Sequence, residues 1–149
     1  MSKKAAAAGA VATVRLLVPA GKAAPAPPVG PALGQKGVKS ADFCKLFNDQ
    51  TKHYIQGIPI TTVITVNPDR TFTFINKSPP SPWLLKQAAG IEKGSSQPGV
   101  VDVGTVSLKH IYEIAKIKSQ DPAFEGVSLE AVCRRVIGTA RGMGIKVVH

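Results

Sequence analysis

The sequence predicts an α+β protein of two small domains, an N-terminal α/β domain with a three-stranded sheet and a C-terminal, mainly helical domain, joined by a Pro-rich hinge. Three observations carry this. Residues 12–18, 60–66 and 71–75 alternate in polarity or are rich in β-branched side chains, as half-buried strands require. Residues 107–119 and 128–142 repeat apolar positions at helical spacing. Between the two groups Ser78-Pro79-Pro80 breaks the chain, because consecutive prolines hold φ and donate nothing to a ladder. The boundaries are then 1–77, a hinge at 78–82, and 83–149. A chain of 149 residues divided this way leaves each domain a thin core, so that support from a partner is expected.

The first strand, Ala12 to Val18, puts Val14, Leu16 and Val18 on one face and Thr13, Arg15 and Leu17 on the other. The next stretch, residues 25–37, holds four prolines and three glycines and no acid. It cannot be the centre of a strand. Pro25, Pro27 and Pro28 should stand clear of any ladder as a stiff, extended apolar ridge leading into a turn of helix that begins near Pro31. The segment suits a docking surface, but on local grounds the favoured reading is a stiff loop between strand and helix. Ser40 is placed to cap a helix over 41–52, with Asp42 in its first turn and Phe43, Leu46 and Phe47 at core spacing. Ile60 to Val66 and Thr71 to Ile75 form a hairpin across the turn Asn67-Pro68-Asp69-Arg70, with Phe72 and Phe74 pointing one way.

Beyond the break, Ser81 as cap and Pro82 at the first helical position open a short helix through Trp83, Leu84, Leu85 and Ala88, closed by Gly90, with Lys86 on its polar side. Residues 93–99 contain nothing apolar to bury and two glycines, which describes a loop that is mobile when nothing is bound. A helix over 107–119 turns Leu108, Ile111, Tyr112 and Ala115 inward and stops before Asp121-Pro122. The last helix runs over 128–142, and Ile145 to Val148 has the pattern of a further short strand.

The formal charge of +10 and a pI near 9.9 point to a polyanion as partner, either nucleic acid or an anionic membrane, and composition does not choose between them. No apolar run approaches the roughly 18 residues that a membrane span requires, so a soluble protein with no segment embedded in a membrane is expected. Cys44 and Cys133 sit in no metal-ligand or CxxC spacing and read as reduced thiols. Met1 to Ala10, alanine-rich with Lys3 and Lys4, reads either as a targeting segment or as a basic tail.

Enzymatic readings find little support. His53, His110 and His149 are scattered, and no metal-binding or nucleophile-base pattern joins them. Gly34 to Ser40 lacks the Gly-Lys-Ser/Thr run of a phosphate loop. No catalytic residue, metal or cofactor is expected.

The last helix is more informative. Leu129, Val132, Cys133, Val136, Ile137, Ala140 and Met143 fall in one apolar arc. Arg134, Gly138 and Arg141 lie together on the opposite side, with Arg135 and Gly142 just beyond. Glycine inside a helix costs about 1 kcal/mol relative to alanine, and no burial on that face offsets it. Close approach of a phosphate backbone or an unstacked base, held by guanidinium groups, would account for the pattern. The same residues also read as a frayed helix end with solvated arginines.

Taken in order, Ala26-Pro27-Pro28-Val29-Gly30-Pro31-Ala32-Leu33-Gly34-Gln35-Lys36-Gly37, Phe43-Cys44-Lys45, Ile64-Thr65-Val66, Asp69-Arg70, Ser78-Pro79-Pro80, Leu84-Leu85-Lys86, Ala88-Ala89-Gly90 and Gly138-Thr139-Ala140-Arg141 resemble the family of large-subunit ribosomal protein eleven, which lies at the base of the ribosomal stalk. The resemblance spans nearly the whole chain. It implies a structural, non-enzymatic protein whose C-terminal domain binds large-subunit rRNA and whose N-terminal domain faces translational GTPases and neighbouring stalk proteins. The rRNA-binding positions implied are Pro79, Pro80, Lys86, Gly90, Lys93, Gly94, Ser95, Arg134, Gly138, Thr139, Ala140, Arg141, Gly142 and Met143. The factor-facing positions implied are Pro25, Pro27, Pro28 and Pro31, with thiopeptide antibiotics wedging at Pro27 and Pro31. Charge totals alone point the other way: residues 1–77 carry 10 basic and 3 acidic residues, net +7, and residues 78–149 carry 9 and 6, net +3.

Trp83, Glu92 and Ala24 depart from the bacterial pattern and lean toward the mitochondrial branch, with a bacterial cytoplasmic member as the alternative. A different class of function also remains open. Pro25, Pro28 and Pro31 are spaced as in proline-motif ligands, so the chain could be an adaptor for aromatic-lined grooves.

Overall fold

A computed structural model describes residues 11–149. The expectation for Met1 to Ala10 lies outside them. The chain separates into two compact units, the first ending at Lys77 and the second beginning at Ser78.

In the first unit, β1 (Ala12–Pro19), β2 (Pro59–Val66) and β3 (Phe72–Asn76) form an antiparallel sheet in the order β1-β2-β3. The register sets Val18 opposite Ile60, Val14 opposite Ile64, and Ile64 opposite Phe74. Since side chains alternate along a strand, this register puts Val18, Ile60, Ile64 and Val66 on one buried face. Two helices cover it, α1 (Val29–Gly34) through Val29 and Leu33, and α2 (Ser40–Gln50) through Phe43, Cys44 and Phe47. The Phe43 ring meets Phe74 edge-on with centroids 5.3 Å apart, an arrangement that suits the ring quadrupoles. Burial pushes the Cys44 thiol pKa up.

Several expectations require correction here. Leu46 is 49% exposed and Cys44 replaces it in the core. At about 100° per residue, 43, 44 and 47 span one arc centred near 47, and 46 falls outside it. Ser40 is inside α2 and caps nothing: Lys39 is the boundary residue, and its carbonyl accepts the Phe43 amide. The proline segment is a turn and not an extended ridge. Ala26 O accepts the amides of Val29 and Gly30 at 3.0 and 3.2 Å, so α1 starts two residues before Pro31. The third strand starts at Phe72 because the Thr71 carbonyl closes the hairpin turn onto the Asn67 amide, at 2.9 Å.

The second unit contains α3 (Ser81–Ala89), β4 (Gly104–Ser107), α4 (Leu108–Ser119), a 3-10 turn (Pro122–Phe124), α5 (Leu129–Arg141) and β5 (Ile145–Val148). Its core gathers Leu85, Ile111, Ile114, Ala115, Val132, Val136 and Ala140 from the helices, with Val106 and Ile145 from the strands. β4 and β5 pair in parallel, Val106 opposite Val147. A parallel pair needs a crossover, and α4 and α5 supply it. The sequence shows no sign of β4, a four-residue strand that runs straight into α4. Ser107 ends the strand and caps the helix: its hydroxyl accepts the His110 amide, and its own amide donates to His110 Nδ1. His110 therefore has a capping role.

Leu108 and Tyr112 are 39% and 49% exposed, and Ile114 is buried instead. The arc that α4 presents to α5 is centred on Ile111, with Ile114 and Ala115 on either side. The expected hinge is not a free linker. Ser78 is bonded to Asp121, Pro79 is buried, and Ser81 and Pro82 form the first turn of α3. Ser81 is not the cap either, because the Trp83 and Leu84 amides both donate to Pro80 O.

Candidate nucleic-acid interface

α5 carries the centre of the candidate interface. Ser128 caps it, accepting the Ala131 amide at 3.3 Å, and Glu130 in the first turn suits the positive end of the helix dipole. The apolar arc seats Val132, Val136 and Ala140 in the core, with Leu129, Cys133, Ile137 and Met143 packed around them. That fixes the rotation of the helix and leaves Arg134, Gly138 and Arg141 exposed. Beyond the backbone of its own helix, a Cβ built on Gly138 would meet no atom of the described residues within 4 Å, so their packing does not require glycine there. Arg134 pairs with Glu130, but both side chains are more than two-thirds exposed, and such a pair contributes little to stability.

The segment after α5 holds the loop that precedes β4. Gly142 caps the helix, and its amide donates to Gly138 O at 3.1 Å. Met143 O then accepts the Ser95 amide at 2.9 Å, and Gly144 O accepts the Val103 amide at 2.8 Å. Gly144 has φ +71°, and a side chain there would collide with Ser95 and approach Val101 O to 2.7 Å. The loop expected to lack any internal support is therefore fastened by its backbone to the end of α5. Its apolar content misses this because the fastening uses amides and glycines.

Met143, Gly94 and Ser95 are thus brought together, with Lys93 exposed beside them. Thr139 is half-buried, its hydroxyl turned back to Arg135 O at 3.0 Å. Ala140 and Pro79 are buried, so their side chains shape the interface from within and are not contact surfaces. Pro80 and Lys86 are half-buried, and Gly90 closes α3 with φ +67°. No hydrogen bond or ion pair among the described residues joins Lys86 to the glycine face of α5.

Two arrangements escaped the sequence reading. Asp121, read only as a helix stop, accepts the Ser78 amide and hydroxyl and pairs with Lys118 at 2.9 Å. Lys118 also donates to Ser78 Oγ at 2.8 Å and to Pro79 O at 3.4 Å, which seats the start of the unit against the end of α4. Arg135 lies over the ring of Phe124. Lys118 and Asp121 are three residues apart, but the bonds to Ser78 and the seat of Arg135 on Phe124 have no local signal in the sequence.

In the first unit Pro25, Pro27, Pro28 and Pro31 are all exposed. Their turn is pinned by Asn48, whose side-chain amide both accepts from Ala23 N, at 3.0 Å, and donates to Ala23 O, at 3.2 Å. Gly30 allows the Pro25 carbonyl to pass where a Cβ would lie 2.5 Å from it. A ligand for an aromatic groove must lie extended, and this folded turn does not. The adaptor reading loses its main support.

Among the described residues, no cluster of His, Cys, Asp and Glu is placed to hold a metal ion. No helix among them is long and apolar enough to cross a membrane.

Comparison with known proteins gives a consistent result across both units. A family model described as "Ribosomal protein L11, N-terminal domain" matches residues 14–72, and one described as "Ribosomal protein L11, RNA binding domain" matches residues 77–147. The Large ribosomal subunit protein uL11m of Schizosaccharomyces pombe is 54% identical over 135 residues, covering 91% of this chain and 94% of that protein. The protein of the same name from Caenorhabditis elegans is 50% identical over 138 residues, covering 93% of this chain and 70% of that one.

Proposed function

The chain belongs to the ribosomal protein L11 family, and from that premise we propose that it holds the base of the stalk in the large subunit of the mitochondrial ribosome. The second unit binds large-subunit rRNA through the α5 glycine face and the loop fastened to its end. The first unit offers its proline turn to translational GTPases. The family and the presence of its RNA-binding domain establish a structural role in the large ribosomal subunit. The mitochondrial assignment follows the names of the two relatives.

The observation that carries the rRNA reading is the open surface at Gly138 between two exposed arginines. Among the described residues no other part of the protein approaches the glycine, yet glycine is disfavoured in a helix, so an outside ligand is the reason left for it. The flanking guanidinium groups select a phosphate-bearing one. Phosphate contacts make binding strongly salt-dependent. A titration of the full chain with large-subunit rRNA at several salt concentrations should give a steep negative slope, which R141A should reduce by about one unit. A flat salt dependence, or an unchanged slope, would remove the proposal.

GTPase presentation calls for a separate measurement. Large subunits depleted of the protein should lose most factor-stimulated GTP hydrolysis and regain it when the chain is added back. Full recovery with the proline turn substituted would show that the turn has no such role.

A further inference from the structure

Arg135 lies on the flank of α5, between the exposed glycine face and the buried stripe. Its guanidinium carbon sits over the Phe124 ring, 5.1 Å from the centroid. Phe124 ends the 3-10 turn and packs against the core of the second unit, so the platform under the arginine is anchored. Beside the pair opens a groove of about 280 Å³. Pro82, Val132 and Val136 supply apolar lining, Ser81 and Thr139 supply hydroxyl oxygens, and none of the described lining residues is acidic.

The groove has two cations, and one is already engaged. Lys118 is bonded to Asp121, Ser78 and Pro79. Among the described residues the Arg135 side chain makes no hydrogen bond or ion pair, and its guanidinium lies over the Phe124 ring. An arginine laid on an aromatic ring keeps its donors and its other face for a ligand. A nucleobase has this complement: a flat π-face for the guanidinium, apolar surface for the groove wall, and an edge that hydrogen-bonds. An acidic peptide would satisfy the charge and leave the ring and the apolar wall uncovered.

We propose that the Phe124–Arg135 pair and the groove beside it hold one unstacked nucleotide of the bound rRNA, with its base stacked on the guanidinium and its edge reaching the Ser81 hydroxyl and the Thr139 oxygen, which can accept while its own proton stays on Arg135 O. This rests on the reading of the second unit as rRNA-binding. It adds a base-holding site to the phosphate-gripping face of Arg134 and Arg141, and it assigns to Phe124 the task of positioning Arg135.

The test uses the full chain and a large-subunit rRNA fragment recovered by nuclease protection on the wild-type protein. Affinity is measured for wild type, R135A, R135K and F124L over a range of salt, with the melting temperature of each variant. Loss of a base stack should weaken R135A, R135K and F124L each by roughly 5- to 100-fold. The salt slope of F124L should match wild type, because no charge is lost. Ultraviolet irradiation of the wild-type complex should attach a nucleotide to the peptide that contains Phe124 and Arg135. Wild-type affinity in R135K would reduce the site to a point charge and overturn the proposal, as would wild-type affinity in a folded F124L. If F124L fails to fold, R135K and the crosslink decide. A variant that binds the fragment normally yet fails to enter ribosomes would make the groove a protein contact and also overturn it. Failure of the wild type to protect any fragment would sink the rRNA reading itself.

Discussion

Asp121 accepts two hydrogen bonds from Ser78, one from the amide at 2.7 Å and one from the hydroxyl at 2.8 Å, across 43 residues of chain. Lys118 Nζ completes the cluster, and both charged side chains are nearly buried, 12% exposed for Lys118 and 7% for Asp121. Three donors from two residues satisfy the carboxylate, which is what makes a buried charge tolerable. The cluster fastens the chain where it enters the second unit.

This cluster predicts an acid-sensitive second unit. Burial pushes the Asp121 pKa up, but the hydrogen bonds from Lys118 and from the Ser78 amide and hydroxyl, with the Lys118 charge, outweigh it, and the net direction is down. A carboxyl lowered on folding stabilises above its unfolded pKa of about 3.9, and the contribution is lost as pH falls through the folded value. Thermal melts of wild type should therefore lose this contribution only below that range, and D121N should flatten the dependence. D121A, which leaves Lys118 buried without a counter-charge, should cost about 3–5 kcal/mol in denaturant unfolding at neutral pH. A neutral effect of D121A would show that the pair is dispensable.

Gly138 separates stability from binding. With open space around its Cβ position, G138A should raise the stability of the second unit by up to about 1 kcal/mol. The same methyl group stands where the rRNA is proposed to approach, so affinity should fall. G138L and R141A should each lose about 1–3 kcal/mol of binding with the fold retained. Filter binding beside calorimetry reads both quantities, and unchanged affinity in all three variants would leave the glycine face without a ligand.

Gly144 should behave in the opposite manner. Its positive φ and the closeness of Ser95 and Val101 O leave no room for a side chain. G144A should cost about 1–3 kcal/mol and release the loop. Hydrogen exchange of the free protein should show the Ser95 amide protected by its bond to Met143 O, and that protection should vanish in G144A. Rapid exchange at Ser95 in the wild type would mean that the loop is ordered by RNA alone.

The proline turn offers a comparison of shape with surface. Pro27 and Pro31 are exposed, so P27S and P31S should leave the melting temperature of the first unit nearly unchanged. G30A should lower it, because its Cβ would fall 2.5 Å from Pro25 O. On the reading of this turn as a thiopeptide wedge, all three should bind the drug poorly on reconstituted particles. Undiminished drug affinity in P27S and P31S would reduce the turn to a stiff loop.

Much of this protein is determined by local pattern. The alternation of Ile60, Thr62, Ile64 and Val66 defines a strand with one buried face, and it needs only the period of the backbone. The apolar arc of α5 sets its rotation, so the exposure of Arg134, Gly138 and Arg141 follows from the sequence before any neighbour is placed. Other features required the tertiary structure. β4 is a strand because β5, some 40 residues later, lies beside it in parallel. Leu46, Leu108 and Tyr112 are apolar and at near-helical spacing, yet they are exposed, because the neighbouring elements cover a narrower arc than the apolar residues span. The Asp121–Ser78 bonds and the seat of Arg135 on Phe124 join residues with no shared period. Periodicity states which side of an element is apolar; which element covers it, and which polar groups meet at its edge, is decided only when distant segments compete for the same surface.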